Sequence, residues 1–312
     1  MRILILIALL AFGLFTMHDA FAEESSRPIK MKIGIEIMNI GEINKETGAY
    51  ELFFWVSETS DDYDFTKQPP PIIDYENGYV EEITAISVKE HFYKFKARGT
   101  FFNAMDYKEH PFNKLNLAIH IKSVIPNTLN NLQFEVDKEY SGIREESFIS
   151  VPGYEIKEPY FFVSNQTYPW GEFSRFSAVL PVESSPTGVI LKYFIPAILI
   201  AVFAFSTYWI PASYSDEKIE ILAATLVGAI FYHVTYLSAG IPSVQYLTFA
   251  DKVMLSLYTV FGMSLLNVLL HKKLEHELKE NYTVLVERNL NIKFRILTPI
   301  FAIIVLLITI MI

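Results

Sequence analysis

Two glutamates three residues apart, Glu217 and Glu220, open a segment that is otherwise long and apolar enough to cross a membrane. At about 100° per helical residue, Glu217, Ala224, Gly228, Phe231 and Thr235 fall on one side, with Glu220, Ile221, Thr225 and Tyr232 flanking them. Leu222, Leu226, Ala229 and Ile230 fall opposite. An ionisable or small polar face at membrane depth normally looks at a bundle interior or a water path. The chemistry of such a stripe is ion handling: carboxylates favour cations by charge, and an apolar collar farther along closes by dewetting. A packed four-helix anchor, in which small residues allow close helix contact, is the alternative. It accounts for Ala224 and Gly228 but not for two glutamates with Lys218 at the membrane boundary.

Other chemistry is sparse. The chain has no cysteine, which excludes disulfides, thiolate metal sites and thiol nucleophiles. It has no G-x-S-x-G elbow, phosphate-binding glycine loop or H-E-x-x-H, and its seven histidines are scattered. We therefore expect no enzymatic activity, no catalytic residue and no cofactor. Asp61, Asp62 and Asp64 could help to hold Ca²⁺ but read more simply as a solvated acidic loop, and no metal site is expected. Asn165-Gln166-Thr167 fits a glycosylation acceptor.

The elements that must position the stripe can be read along the chain. Residues 1–22 have the form of a secretory signal, with Arg2, an apolar core over 3–15 and the small-residue exit Ala20-Phe21-Ala22. A fifth spanning helix is the other reading, against which the short core argues. Four apolar stretches follow, at about 189–210, 217–237, 249–270 and 296–312, each near the ~17–25 residues that cross a bilayer. Residues 238–249 contain no Lys or Arg, whereas 271–295 hold Lys272, Lys273, Lys279, Arg288, Lys293 and Arg295. The positive-inside rule then makes 271–295 a cytoplasmic loop and puts both termini outside. Residues 23–188 carry 16 basic against 26 acidic residues, and 189–312 carry 9 against 8. An acidic outer body concentrates cations and repels nucleic acid, so no nucleic-acid partner is expected; taken alone, the acidity equally fits a domain simply kept soluble by its charge.

The outer domain, 23–188, alternates apolar and polar residues in short runs at about 32–37, 50–57, 80–88, 92–99, 114–123, 132–137, 160–164 and 173–182. These are the marks of an antiparallel β-sandwich. Pro69-Pro70-Pro71 cannot lie in a central strand and marks a rigid loop. The sandwich runs through Glu183-Ser184-Ser185-Pro186 almost directly into the first span.

A β-sandwich followed by four spans, the second one polar, resembles the pentameric ligand-gated ion channels. Asp106-Tyr107-Lys108-Glu109-His110-Pro111-Phe112-Asn113 resembles the family's aromatic-Pro-Phe-Asp loop, with His110 in place of the aromatic and Asn113 in place of the aspartate. Asn103 and Leu117 stand where animal members have their bracketing cysteines. Pro196, Trp209, Arg295 and Pro299 also resemble prokaryotic members. Residues 241–248, including Pro242 and Tyr246, followed by Asp251, look like the loop that couples agonist binding to the pore. The arginine usual before the first span is replaced by Ser184.

The resemblance implies an extracellular or periplasmic β-sandwich on a four-helix transmembrane bundle. Five identical chains would surround a pore in a bacterial or archaeal plasma membrane, in contact with lipid. It implies a cation-selective channel passing monovalent cations, with carboxylate rings at Glu217 and Glu220 and a constriction at Val227 or Gly228 and Phe231 or Tyr232. Alignment forward from Glu217-Lys218 turns Glu220, Ala224, Val227 and Phe231 inward. Alignment back from Pro242 turns Ile221, Thr225, Gly228 and Tyr232 inward, and both registers stay open. The coupling interface would be His110, Pro111, Phe112, Asn113, Pro242 and Tyr246. The agonist pocket would draw on Trp55, Tyr75, Tyr140, Tyr168 and Trp170, with Glu76 or Glu172 adding charge for an amine. Protons acting through carboxylates, His110 or His233 are the other agonist to consider. A membrane-anchored sensory or binding module that does not conduct is the competing function.

Overall fold

The computed structural model describes residues 27–144, 151–278 and 284–311; the expected signal segment lies outside them. Among the described residues, eleven strands form two facing sheets. The first has the order β4 (Gly78–Lys89), β5 (Phe92–Phe102), β2 (Ala49–Thr59), β1 (Ile29–Asn44), β7 (Leu132–Val136), with β8 (Gly142–Ile143) also on β1. The second runs β10 (Tyr160–Tyr168), β11 (Gly171–Ser184), β6 (Lys114–Ser123), β3 (Ile73–Tyr75), with β9 (Tyr154–Ile156) on β11. The sandwich is not wholly antiparallel, because β1 pairs in parallel with both β7 and β8.

The period-2 pattern builds the core. On β2, Tyr50, Leu52, Phe54 and Val56 are buried while Glu51, Phe53 and Trp55 lie on the other face. They meet Ile33 and Ile35 of β1, Phe101 of β5, Leu117, Ile119 and Ile121 of β6, and Phe176 and Leu180 of β11. One polar group interrupts this core. Glu58, next inward on β2, is 1% exposed, and its Oε2 has no hydrogen-bond partner among the described residues.

Among the described residues, four helices of membrane-spanning length follow: α1 (Pro186–Trp209), α2 (Ala212–Leu237), α3 (Phe249–Leu278) and α4 (Val284–Met311). Strand β11 ends at Ser184 and α1 starts two residues later, with Ser185 extended at its N-cap and Pro186 in its first turn. The buried residues Leu222, Ala229, Met254, Leu257, Phe261 and Val268 hold the bundle together. Apolar side chains such as Ile198, Val202, Ile304 and Ile308 point outward, as lipid-facing positions would.

The expected loop at 271–295 is mostly helix. Helix α3 runs eight residues past 270, and α4 begins at Val284, twelve residues ahead of the expected 296. Apolar composition marks only the part of a helix that needs lipid. At 1.5 Å per residue, the 30 residues of α3 reach about 45 Å, well beyond a ~30 Å hydrocarbon layer. The overhang carries charge, including a Lys273–Glu277 ion pair one turn apart at 3.7 Å.

Candidate functional site

On α2, the buried residues Lys218, Leu222 and Ala229 define the face that packs into the bundle. Directly opposite lie Glu220, Ala224, Val227 and Phe231, all exposed in the single chain, with Val227 67% and Phe231 68% exposed. Glu217, Gly228 and Thr235 are exposed as well, and nothing lies within 4 Å of where a Cβ on Gly228 would stand. Two residues of the other register are engaged elsewhere. The half-buried Tyr232 hydroxyl donates to the carbonyl of Tyr193 on α1 at 2.6 Å, and the Thr225 hydroxyl donates back to the Ile221 carbonyl at 2.5 Å.

Residues Tyr232–Leu237 wind as a π-helix. This wider winding accommodates one extra residue, so the 100° spacing that grouped Thr235 with Glu217 stops at Phe231. It also accounts for the two registers. Counting from Glu217 and counting back from Pro242 differ by one residue, and the π-turn lies between the two starting points.

The charges at the N-terminal end of α2 are tied to the bundle. Asp216 pairs with Lys272 at 2.8 Å, and Glu287 accepts from the Ala212 amide at 2.6 Å. The Lys218 ammonium is 1% exposed and has no hydrogen-bond partner among the described residues. With Lys218 turned inward, the neighbouring Glu217 and Glu220 are left on the open face.

The 106–113 loop sits directly on the membrane block. Tyr246 donates from its hydroxyl to Asp106 (3.2 Å) and accepts the Tyr107 amide (3.0 Å). The amides of Phe249 and Ala250 donate to the carbonyls of Lys108 and His110, each at 2.9 Å. Phe112 stacks on Phe194 of α1 and contacts Phe249 of α3. Buried Pro111 lies against Tyr193, Phe194 and Leu237, while Pro242 is half-buried in the 241–248 loop. Below the junction, His233 meets Asp251 at 2.8 Å and Tyr258 at 3.1 Å.

His110 is 3% exposed, with Nε2 2.8 Å from the Leu237 carbonyl and Nδ1 3.2 Å from the Asn113 side-chain amide. Burial holds its pKa below the usual histidine value, against the opposing hydrogen bonds to Leu237 and Asn113. The neutral ring donates from Nε2 to the Leu237 carbonyl, and its Nδ1 faces the Asn113 Oδ1. The Asn113 carbonyl in turn accepts the Ser184 amide at 2.9 Å. His110, Asn113 and Ser184 thus form one connected set.

The expected ligand residues divide into two groups and a core residue. Trp55, on the outer face of β2, carries the Lys94 ammonium at 4.1 Å and the Arg144 guanidinium at 4.3 Å from its ring. Tyr140 stands beside Lys94 at 5.6 Å and against Phe92. At the β10–β11 hairpin tip, Tyr168 and Trp170 stack at 5.2 Å, and Trp170 is 60% exposed. Glu76 receives the Tyr168 hydroxyl, with Arg175 at 3.4 Å and Lys122 at 3.5 Å. Burial raises the Glu76 carboxyl, but the Tyr168 hydrogen bond and the two cations outweigh it and hold the pKa low. Tyr75 does not join them. Its ring packs into the sandwich against Phe54 and Phe101, because β3 alternates and Tyr75 takes the inward position.

The four cations of these clusters are the residues that sequence reasoning missed. Lys122 stands opposite both Asp74 on β3 and Arg175 on β11, a row created only by the sheet register. Asp64 is paired with Lys67 and accepts from Thr66, so the acidic loop satisfies itself locally. The class of molecule established by these observations is a β-sandwich-like domain joined to a four-helix, membrane-spanning block. No protein-family model matches the chain.

Proposed function

We propose that the chain is one subunit of a homopentameric, cation-selective channel in a prokaryotic plasma membrane, gated by a small molecule or by protons. The observation that carries this reading is the face of α2 opposite the bundle. It presents Glu217 and Glu220 at one end and Ala224, Val227 and Phe231 along its length, unpaired within the chain at membrane depth. Five copies in cyclic, head-to-tail contact would give that face a water path to line. The Glu220–Ala224–Val227–Phe231 register is the one that stands opposite the buried face. Exposed Tyr79, Ile83 and Val88 on the edge strand β4 would be covered by a neighbouring subunit.

Gating would pass from the hairpin tip and Glu76 cluster through the sandwich to the 106–113 loop, and through His110 to Leu237 at the end of α2. Both chain ends would lie outside. The deciding experiment has two parts: the mass of the detergent-solubilised complex, and ion flux with reversal potentials in liposomes. A five-copy mass with cation-selective flux is expected. A monomer or dimer without flux would leave a membrane-anchored sensory module as the function.

A further inference from the structure

Lys108, Glu109, Phe112, Phe249, Lys252 and Ile310 line a crevice of about 350 Å³ where the sandwich meets the helices. The 106–113 loop, the first turn of α3 and the last turn of α4 build it. Phe112 and Phe249, with ring centres 6.2 Å apart, give it an aromatic wall. The lining carries two cations against one carboxylate, and that carboxylate, Glu109, is paired with Lys114 at 3.1 Å. Neither the Lys108 nor the Lys252 ammonium has an ion-pair partner among the described residues; Lys108 lies only over the Tyr246 ring, at 5.8 Å. The adjacent carboxylates are engaged elsewhere, Asp106 by Tyr246 and the Lys108 amide, Asp251 by His233 and Thr248. Ile310 ends the apolar stretch of α4 and is 48% exposed, and Leu307 and Ile303 continue its face down the helix, both exposed. The two lysines thus stand at the water boundary above a strip of apolar surface at membrane depth.

We propose that this crevice is a headgroup site for an anionic glycerophospholipid of the leaflet on the sandwich side. Lys108 and Lys252 would meet its phosphate as point charges, and its acyl chains would run along Ile310, Leu307 and Ile303. A soluble phosphate would satisfy the lysines but leave Phe112, Phe249 and Ile310 uncovered. A lipid satisfies both halves at once, because its chains stay in hydrocarbon while its headgroup reaches the lysines. The site lies within one chain, so it holds whatever number of copies assemble. A bound lipid would also brace Phe112 of the junction loop against α3 and α4, two residues from the His110 contact with Leu237.

The test uses the full chain in detergent, where no bilayer surface charge contributes, mixed with equal amounts of phosphatidylglycerol and phosphatidylcholine. Native mass spectrometry counts the lipid of each kind retained per chain. Phosphatidylglycerol should be retained at least about fivefold over phosphatidylcholine, and Lys108→Gln and Lys252→Gln should each lower its retention by about fivefold. Lys273→Gln, at the other end of α3, should leave it unchanged. Glycerol 3-phosphate, a headgroup without chains, should not displace the lipid at matched concentration. Melting curves identify the folded variants. If neither lysine variant folds, Ile310→Trp, which fills the crevice without touching a charge, should lower phosphatidylglycerol retention instead. Equal retention of the two lipids, or unchanged retention in the folded variants, would overturn the proposal. Displacement by glycerol 3-phosphate would overturn it too, in favour of a site for a soluble anion.

Discussion

The His110 imidazole lies 2.8 Å from the carbonyl of Leu237, the last residue of α2, so a buried ring of the sandwich holds the near end of the polar helix. Its other nitrogen rests on Asn113, whose backbone carbonyl accepts the amide of Ser184 two residues before α1. A single histidine thus connects the sandwich to α2 and, through Asn113, to the strand that enters α1.

Replacing Asn113 by Asp places a carboxylate against this ring. The His110 pKa, now held low by burial, should rise, because the charged imidazolium gains a partner. Histidine NMR titration of wild type, Asn113→Asp and the Asn113→Asp/His110→Phe double variant checks this. The new titration should vanish in the double variant. An unshifted His110 in Asn113→Asp would show that the two side chains are not in contact.

The lack of native cysteine makes α2 a clean target for single-cysteine labelling. In liposomes, thiol reagents should block flux through Ala224→Cys, Val227→Cys and Phe231→Cys, and leave Thr225→Cys and Tyr232→Cys much less affected. The reverse pattern would select the register counted back from Pro242. Glu217→Ala and Glu220→Ala should each weaken cation preference in reversal potentials, Glu220 more so because it faces directly away from the bundle.

Glu58 should make stability fall with rising pH. Burial pushes its carboxyl up to about 8 in the fold, against 4.5 for the free side chain. Below 4.5 both states carry the proton. Between 4.5 and 8 only the folded state does, so unfolding is increasingly favoured until the folded carboxyl ionises too. Glu58→Gln should therefore stabilise the sandwich by about 2–3 kcal/mol at pH 7 and by little at pH 4. Melting temperatures of the two proteins across pH 4–9 check this. Parallel curves would mean that Glu58 is already ionised in the fold.

Glu76→Gln should loosen the β10–β11 hairpin tip. The change removes the charge that holds Lys122 and Arg175 and weakens the Tyr168 contact, a loss of about 1–2 kcal/mol for partly buried groups. Amide exchange at residues 168–171 should speed up about tenfold, while exchange in β2 and β6 stays unchanged. Uniform acceleration would point to global destabilisation instead.

The large pattern was legible because it is periodic: alternation marks β2, and the glutamates mark α2. What escaped depends on partners far apart in sequence. Lys94, Lys122, Arg144 and Arg175 look like ordinary surface cations until strand register sets them on Trp55, Tyr168 and Glu76. Tyr75 looks like its aromatic neighbours, and only the inward turn of β3 commits it to the core. The helix overhangs beyond 270 and before 296 are charged, and apolar counting stops where they begin.

The π-wound end of α2 bears on how the chain is aligned with any sequence whose second span is an unbroken α-helix. A helix that gains one residue by insertion can keep both flanks in place by widening a single turn. Here the flanks are the Ser215–Phe231 stretch of α2, anchored in the bundle by Leu222 and Ala229, and the 241–248 loop beneath the sandwich. A sequence with an unbroken α-helix there would be one residue shorter between Phe231 and Pro242. Gapless comparison would then misplace every position on one side of that turn.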